Sequence, residues 1–324
     1  MEQDHYNATV RKKPSAAREV AMGIAATLAS FLPVAIIPIF GVFFSVFTPL
    51  PTLLSFYRLG FPLGLVIPAG ASICAALMMW GMGMPQGMFY FLEMILLGLL
   101  LAGGMRRRLS IEWTVAGASL IIFGISAFLL WRGQSGDGGA IIQGLQNDLK
   151  ATLMSVLEQH PKLSAAQAEL EQTIDALAAT LIRVLPGVML ASTMLVAWLN
   201  ILTAVRYCRT QGIVLPPWPE WSRWKAPEGL VWVVIAAGFM LIFPQPALKV
   251  FGLNGLIACG VVYLLQGLAI AVYYFDKWKL PKMFRAFFYI LVFLQQFATL
   301  AIVFVGFFDI WMDFRRISPK SAGV

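Results

Sequence analysis

Eight apolar runs, separated by short polar loops, constrain this chain more than any other feature of its sequence. They lie at about 17–47, 61–83, 86–104, 112–131, 183–205, 229–248, 253–275 and 287–311. Most are close to the ~20 residues that a helix needs to cross a bilayer. Where water is absent, only a helix or a closed barrel satisfies its own backbone groups, and a barrel strand is a roughly ten-residue segment of alternating polarity. Unbroken runs therefore predict an all-α, polytopic transmembrane bundle of eight or nine membrane segments. Composition agrees: 59% of the 324 residues are hydrophobic and 12% charged, against about 25% charged in a soluble domain. That imbalance excludes a soluble single-domain enzyme.

The polar stretches divide the chain. Residues 1–16 form a basic tail with Arg11, Lys12 and Lys13, followed by an N-terminal membrane region, 17–133. Its first run is too long for a signal-peptide core, so it reads as a membrane segment that stays in place. Residues 134–182 hold six of the sixteen acids against two lysines. Their apolar residues recur in steps of three and four: Ile142, Leu145, Leu149, Leu153 and Val156, then Leu163, Ala166, Leu170, Ile174, Leu177 and Leu181. That spacing predicts two amphipathic helices divided by Pro161, the second opened by a Ser164/Gln167 capping box. C-terminal membrane segments follow at 183–311, then a short basic tail, 312–324.

Orientation follows from the lysines and arginines, which favour the cytoplasmic side. The region 17–60 reads as one long proline-kinked helix or as a hairpin, and 49–60 as a half-helix or re-entrant piece. If 17–60 crosses twice, the cytoplasmic set comprises the N-terminal stretch through Arg18, Arg58, and residues 106–108, 206–225 and 277–285. That set holds 16 of the 24 basic residues. A single crossing splits them 12 to 12, which is no bias. The double crossing is preferred, with the N-terminus in the cytoplasm and the protein in the inner (cytoplasmic) membrane. The basic clusters face anionic lipid in this reading, and no nucleic acid partner is implied.

Two stretches carry a resemblance. Ala17, Ala21, Ala25 and Ala29 fall on one face of the first helix, and Pro51-Thr52-Leu53-Leu54 precedes Arg58-Leu59-Gly60-Phe61-Pro62-Leu63-Gly64. This order resembles the membrane-embedded S components of energy-coupling-factor vitamin transporters, in which an Ala-x-x-x-Ala face meets the coupling subunit. The rod-shape protein MreD shares the general outline. Taken whole, to its ending Phe308-Asp309-Ile310-Trp311-Met312-Asp313-Phe314-Arg315-Arg316, the chain looks most like the YybS-like family of bacterial membrane proteins (DUF2232). Gly-Phe-Pro-Leu-Gly stands where an S component has Gly-Pro-x-x-Gly, and the polar insert and extra C-terminal segments have no counterpart in a six-helix S component.

Several residues could carry function. Glu93 lies within an apolar segment, where a carboxylate must be neutral, paired or facing water; it is a candidate proton or ligand site, with Arg58 as its suggested partner. Gln266, Gln295 and Gln296, with Asn200, Asn254 and Tyr263, could line a polar cavity or bond helix to helix. The alanine ladder 17/21/25/29 serves packing or a partner interface. Asp309, Asp313, Arg315 and Arg316 form a terminal motif of local ion pairs or a docking patch, with Asp309 and Asp313 one helical turn apart. The 216–225 segment, with Trp218, Trp221 and Trp224 among prolines, reads as a stiff interfacial loop.

Catalytic signatures do not emerge. His5 and His160 are far apart, Cys74, Cys208 and Cys259 lack metal or disulfide spacing, and Gly133–Gly139 lacks the strand and lysine of a nucleotide loop. We expect no enzyme activity, no cofactor and no metal. The expected function is a transporter-like membrane subunit that binds a small molecule and relies on a membrane partner for energy. A non-transporting scaffold for envelope or cell-shape machinery, docking through the insert, is the alternative; an intramembrane enzyme is the third reading.

Overall fold

In a computed structural model the described residues, 16–84, 87–132, 138–158 and 167–317, contain helices and no strand. Pro161, Ser164, His5, His160 and residues 133–137 of the glycine-rich stretch, all singled out in the sequence, lie outside them. By compactness the chain divides into two units, Met1–Ala118 with Val196–Pro216, and Ser119–Leu195 with Pro217–Val324. Each unit thus draws on residues from both sides of the polar insert.

The first unit is built on α1 (Ala16–Ile36), α2 (Pro38–Ser45), α3 (Pro49–Leu59), α4 (Val66–Gly81), α5 (Gly87–Arg106) and the start of α6 (Ile111–Arg132). Its apolar centre joins α1, α4 and α5 through Phe31, Ala71, Ala75, Met79, Phe91 and Ile95. The Phe31 and Phe91 rings meet edge to face at 4.7 Å. Small residues set the closest approaches. Gly98 of α5 faces α3 so closely that a Cβ there would stand 2.5 Å from the Pro49 carbonyl. Gly41 lies against the Pro33 carbonyl, which folds α2 back on α1. Ala17–Val34 and Phe40–Leu59 are consequently two separate candidate spans. Residues 49–60, read from sequence as a half-helix or re-entrant piece, are the second half of the Phe40–Leu59 span.

Of the next helices, α6 and α8 (Gln167–Thr210) each contribute residues to both units, and α7 (Gly138–Glu158) belongs to the second. Helix α8 has 44 residues, about 66 Å of helix, roughly twice the hydrocarbon thickness. The polar insert and the membrane segment after it, divided at 182/183 in the sequence reading, are therefore one continuous helix at that point.

In the second unit α9 (Leu230–Ile242) and α10 (Pro246–Lys277) precede α11 (Lys282–Leu294) and α12 (Gln296–Met312). Gly267 of α10 meets the Ile302 carbonyl of α12, and Gly306 of α12 meets the Tyr263 carbonyl of α10, so the two backbones touch at paired glycines. Two expectations change here. The run at 229–248 yields a helix of 13 residues, about 20 Å, short of a full crossing. The run at 287–311 is not one helix: α11 and α12 meet at 103°. Among the described residues seven helices are long and apolar enough to cross a membrane, or eight with the bent pair counted as one.

Candidate functional site

The membrane depth of the first unit contains a break in a helix, and its cause is covalent. Pro49 and Pro51 have no N–H to donate. The chain bridges the gap with tight turns, Thr48 N–H to Ser45 O (3.0 Å) and Leu50 N–H to Phe47 O (3.0 Å). Because Leu50 bonds to Phe47, the Val46 carbonyl loses its i+4 donor. Asn200 of α8 supplies one: its Nδ2 donates to Val46 O at 2.7 Å and to Val196 O at 2.7 Å. The break begins six residues inside the Phe40–Leu59 span, about 10 Å from its end.

Polar side chains collect around this point. Thr27, Ser45, Thr48, Thr52 and Asn200 are each fully buried. Ser45 Oγ shares a hydrogen bond with Tyr90 OH at 3.0 Å, and Ser30 Oγ donates to Thr27 O at 2.8 Å. Two oxygens, Thr52 Oγ1 and Asn200 Oδ1, have no hydrogen-bond partner among the described residues. Leaving a buried polar group unsatisfied costs about 1–3 kcal/mol. Both can accept a hydrogen bond from a polar solute, and the Thr52 hydroxyl can also donate one. Interrupted helices at membrane depth are tolerated where they are enclosed by protein or line a cavity, and transporters bind substrates at such interruptions.

Arg58 and Glu93, paired in the sequence reading, lie at different levels. Arg58 ends α3 and donates to Glu19 at 3.3 Å. Arg106, thirteen residues beyond Glu93 on α5, caps that same end of α3 through the Phe56 (3.3 Å) and Tyr57 (3.2 Å) carbonyls. Glu93 is thus about 20 Å along the helix from Arg106, and it is half-buried. Arg58, Arg106 and Arg108 gather at the Arg58 end, where Tyr57 OH also donates to Val214 O at 2.6 Å.

Ala17, Ala21, Ala25 and Ala29 are all exposed. The packed face of α1 is the other one, where Gly23 meets Ile67, and Thr27 and Phe31 are buried. Among the described residues the ladder is therefore not the packed face of α1. Asn254 bonds helix to helix: its Oδ1 accepts Gly187 N–H at 2.5 Å and its Nδ2 donates to Arg183 O at 2.8 Å. Those two backbone groups are i→i−4 partners beside Pro186, so the amide enters a helical ladder that proline has weakened. Gln295 and Gln296 are exposed at the α11–α12 bend, where the Thr299 hydroxyl donates to the Val292 carbonyl.

The terminal motif and the tryptophan loop form one assembly in the second unit. Asp309 and Arg315 are both wholly buried and meet at 2.8 Å. Asp309 also accepts Gln266 Nε2 (3.0 Å) and Phe314 N–H (2.9 Å). Arg315 reaches into the loop, donating to Ser222 O (2.8 Å) and Trp224 O (2.9 Å). Gln266 Oε1 accepts Ala226 N–H at 3.1 Å. Lys225 and Asp313 pair at 2.6 Å on the rim. The helix stops at Met312, with Asp313 left-handed at φ 39°. Asp313 N–H still closes the last turn on Asp309 O at 3.0 Å, but the chain beyond leaves the helix, so Arg316 is exposed while Arg315 is the buried partner.

Among the described residues no group of three or more His, Cys, Asp or Glu is arranged to hold a metal ion. Seven or eight apolar spans, glycine-mediated helix contacts and many large apolar side chains on the outside, such as Trp80, Met283 and Phe297, define a multi-pass helical membrane protein. The chain belongs to the family described as predicted membrane protein (DUF2232), which matches residues 25–310. No curated protein and no solved structure matches it.

Proposed function

We propose that the chain is a non-catalytic, transporter-like subunit of the cytoplasmic membrane that binds a small polar molecule at the α2–α3 break. The observation that carries this reading is the pair of buried, unpartnered oxygens, Thr52 Oγ1 and Asn200 Oδ1, at an interrupted span. A bundle with no use for them would gain by replacing Thr52 with valine. The outward alanine ladder of α1 supports a membrane partner, since small residues at four-residue spacing let a second helix approach closely. The gathering of arginines at the Arg58 end supports an N-terminus in the cytoplasm.

The test separates binding from folding. Thr52→Val should leave thermal stability in detergent unchanged or higher, because no protein hydrogen bond is lost. Uptake or retention of small polar metabolites, compared by mass spectrometry between cells with wild-type and variant protein, should fall. If Thr52→Val retains the wild-type metabolite profile, the binding reading is wrong. Ala21→Leu with Ala25→Leu should abolish co-purification of a membrane partner; a full set of partners on the variant removes the docking role of α1.

A second reading, a scaffold, draws on the length of α8. With about 66 Å of helix it extends well beyond the hydrocarbon, and Lys150 of α7 pairs with Asp175 of α8 at 2.7 Å. Deleting 134–166 should then strip native partners while metabolite levels hold; intact complexes after the deletion exclude it.

A further inference from the structure

The arginine end of the first unit also holds a cleft of about 320 Å³, within the range of small-ligand sites. One wall is cationic: Arg58 from the end of α3, with Arg106 and Arg108 from the α5–α6 turn. The other is aliphatic, residues 213–216, and is fixed by the Tyr57 hydroxyl on the Val214 carbonyl. Among the described residues no carboxylate lines the cleft.

The three arginines are not equivalent. Arg106 is engaged in closing α3, and it lies over Gly60, where a Cβ would come within 2.6 Å of its guanidinium. Arg58 shares one nitrogen with Glu19 and is 40% exposed. The Arg108 guanidinium has no hydrogen bond or ion pair among the described residues. Its position is also informative. Leu109 N–H bonds to Gly104 O and Arg108 N–H to Met105 O, the pattern in which a helix normally ends on a left-handed glycine. Here Arg108 takes that position, at φ 54°, with some backbone strain. The strain brings a third guanidinium to the wall.

We propose that this cleft binds the phosphate of an anionic phospholipid, the guanidinium groups taking the phosphate oxygens and the aliphatic wall the glycerol and upper acyl chain. Guanidinium forks suit phosphate oxygens, and the exposed Val214, at 78%, gives the cleft an apolar lip at a membrane-surface level. A soluble phosphate ester shares the polar half of this chemistry but has no use for the lip. The inference does not depend on the α2–α3 break.

The experiment uses the full chain in nanodiscs of phosphatidylcholine with increasing phosphatidylglycerol, with retained lipid counted by native mass spectrometry. Saturable retention of one phosphatidylglycerol per chain is expected. Arg108→Gly should weaken it about fivefold, as expected for one arginine at a lipid surface, while thermal stability holds or rises because glycine suits the left-handed turn. Val214→Glu, at an exposed position, should weaken it similarly, and Lys249→Gln, elsewhere on the chain, should not. A second arm titrates inorganic phosphate into pure phosphatidylcholine discs. Stabilisation by phosphate that Arg108→Gly removes, without lipid retention, would overturn the lipid assignment in favour of a soluble ligand. Equal retention of both lipids, or equal weakening by Lys249→Gln, would overturn the site altogether.

Discussion

Removing the Asp309 carboxylate should release the tryptophan loop far more than its distance along the chain suggests. Asp309→Leu leaves the Arg315 guanidinium buried without a counter-charge, and it strips an acceptor from Gln266 and from Phe314. Breaking a buried pair by removing one partner costs about 3–5 kcal/mol. The relief available is for Arg315 to leave, and Arg315 is what holds the Ser222 and Trp224 carbonyls. If the whole cost appears as loop opening, the open population rises about 150- to 5,000-fold. Trypsin reads this directly, because Arg223 and Lys225 lie in the loop and cleavage tracks the open population when closing is fast. Arg315→Met should do less, since a lone carboxyl can take up a proton whereas an arginine cannot lose one. The double variant Asp309→Leu/Arg315→Met has no buried charge and should be cut more slowly than Asp309→Leu alone. Wild-type cleavage rates in Asp309→Leu, or a double variant at least as labile as that single, would refute the charge-pair argument.

Other outcomes follow from contacts of the same kind. Gly306→Ala gains about 1 kcal/mol of helix propensity, yet its Cβ would strike the Tyr263 carbonyl, so a net loss of about 1–3 kcal/mol is expected from overpacking; Gly260→Ala, with open space around it, is the stabilised control in the same thermal assay. Asn254→Leu should cost about 1–3 kcal/mol by unmaking the Gly187 and Arg183 bonds, and a melting point equal to wild type would show that α8 recloses its own ladder. Tyr57→Phe removes the 2.6 Å bond to Val214 and should speed proteolysis at Arg209 without altering the second unit's cleavage pattern.

The fold class was legible because apolar run length is a physical requirement of the bilayer, and it does not depend on which residues later touch. Breaks were harder. Pro33, Pro38 and the Pro49/Pro51 pair are all visible in the sequence, but proline announces only that a donor is missing. Whether the chain then turns back, as at Gly41, or continues after a tight turn, as at Thr48, depends on what receives the freed carbonyl. At 46 the receiver is Asn200, 154 residues away. The α11–α12 bend carries no proline at all, and the Gln295–Gln296 pair read first as helix-to-helix bonding, with a cavity lining as the other reading.

The candidate site was legible in its residue types and not in its pairings. Asp309, Arg315 and Gln266, each singled out in the sequence, do converge, whereas Arg58 pairs with Glu19 and not with Glu93 as the sequence suggested. The sequence reading nevertheless followed helical periodicity past Met312, which aligned Asp309 with Asp313 and Arg316. A left-handed turn at Asp313 redirects the chain, so that Arg315 comes back over the helix end. Such turns are local events costing about 1–2 kcal/mol per residue; a buried ion pair with five hydrogen bonds around it can impose one where the sequence offers no glycine. A second such turn occurs at Arg108, where the left-handed residue is a long cation. In both places a position that backbone preference would assign to glycine is held by a charged side chain: Asp313 pairs with Lys225, and Arg108 lines the arginine cleft.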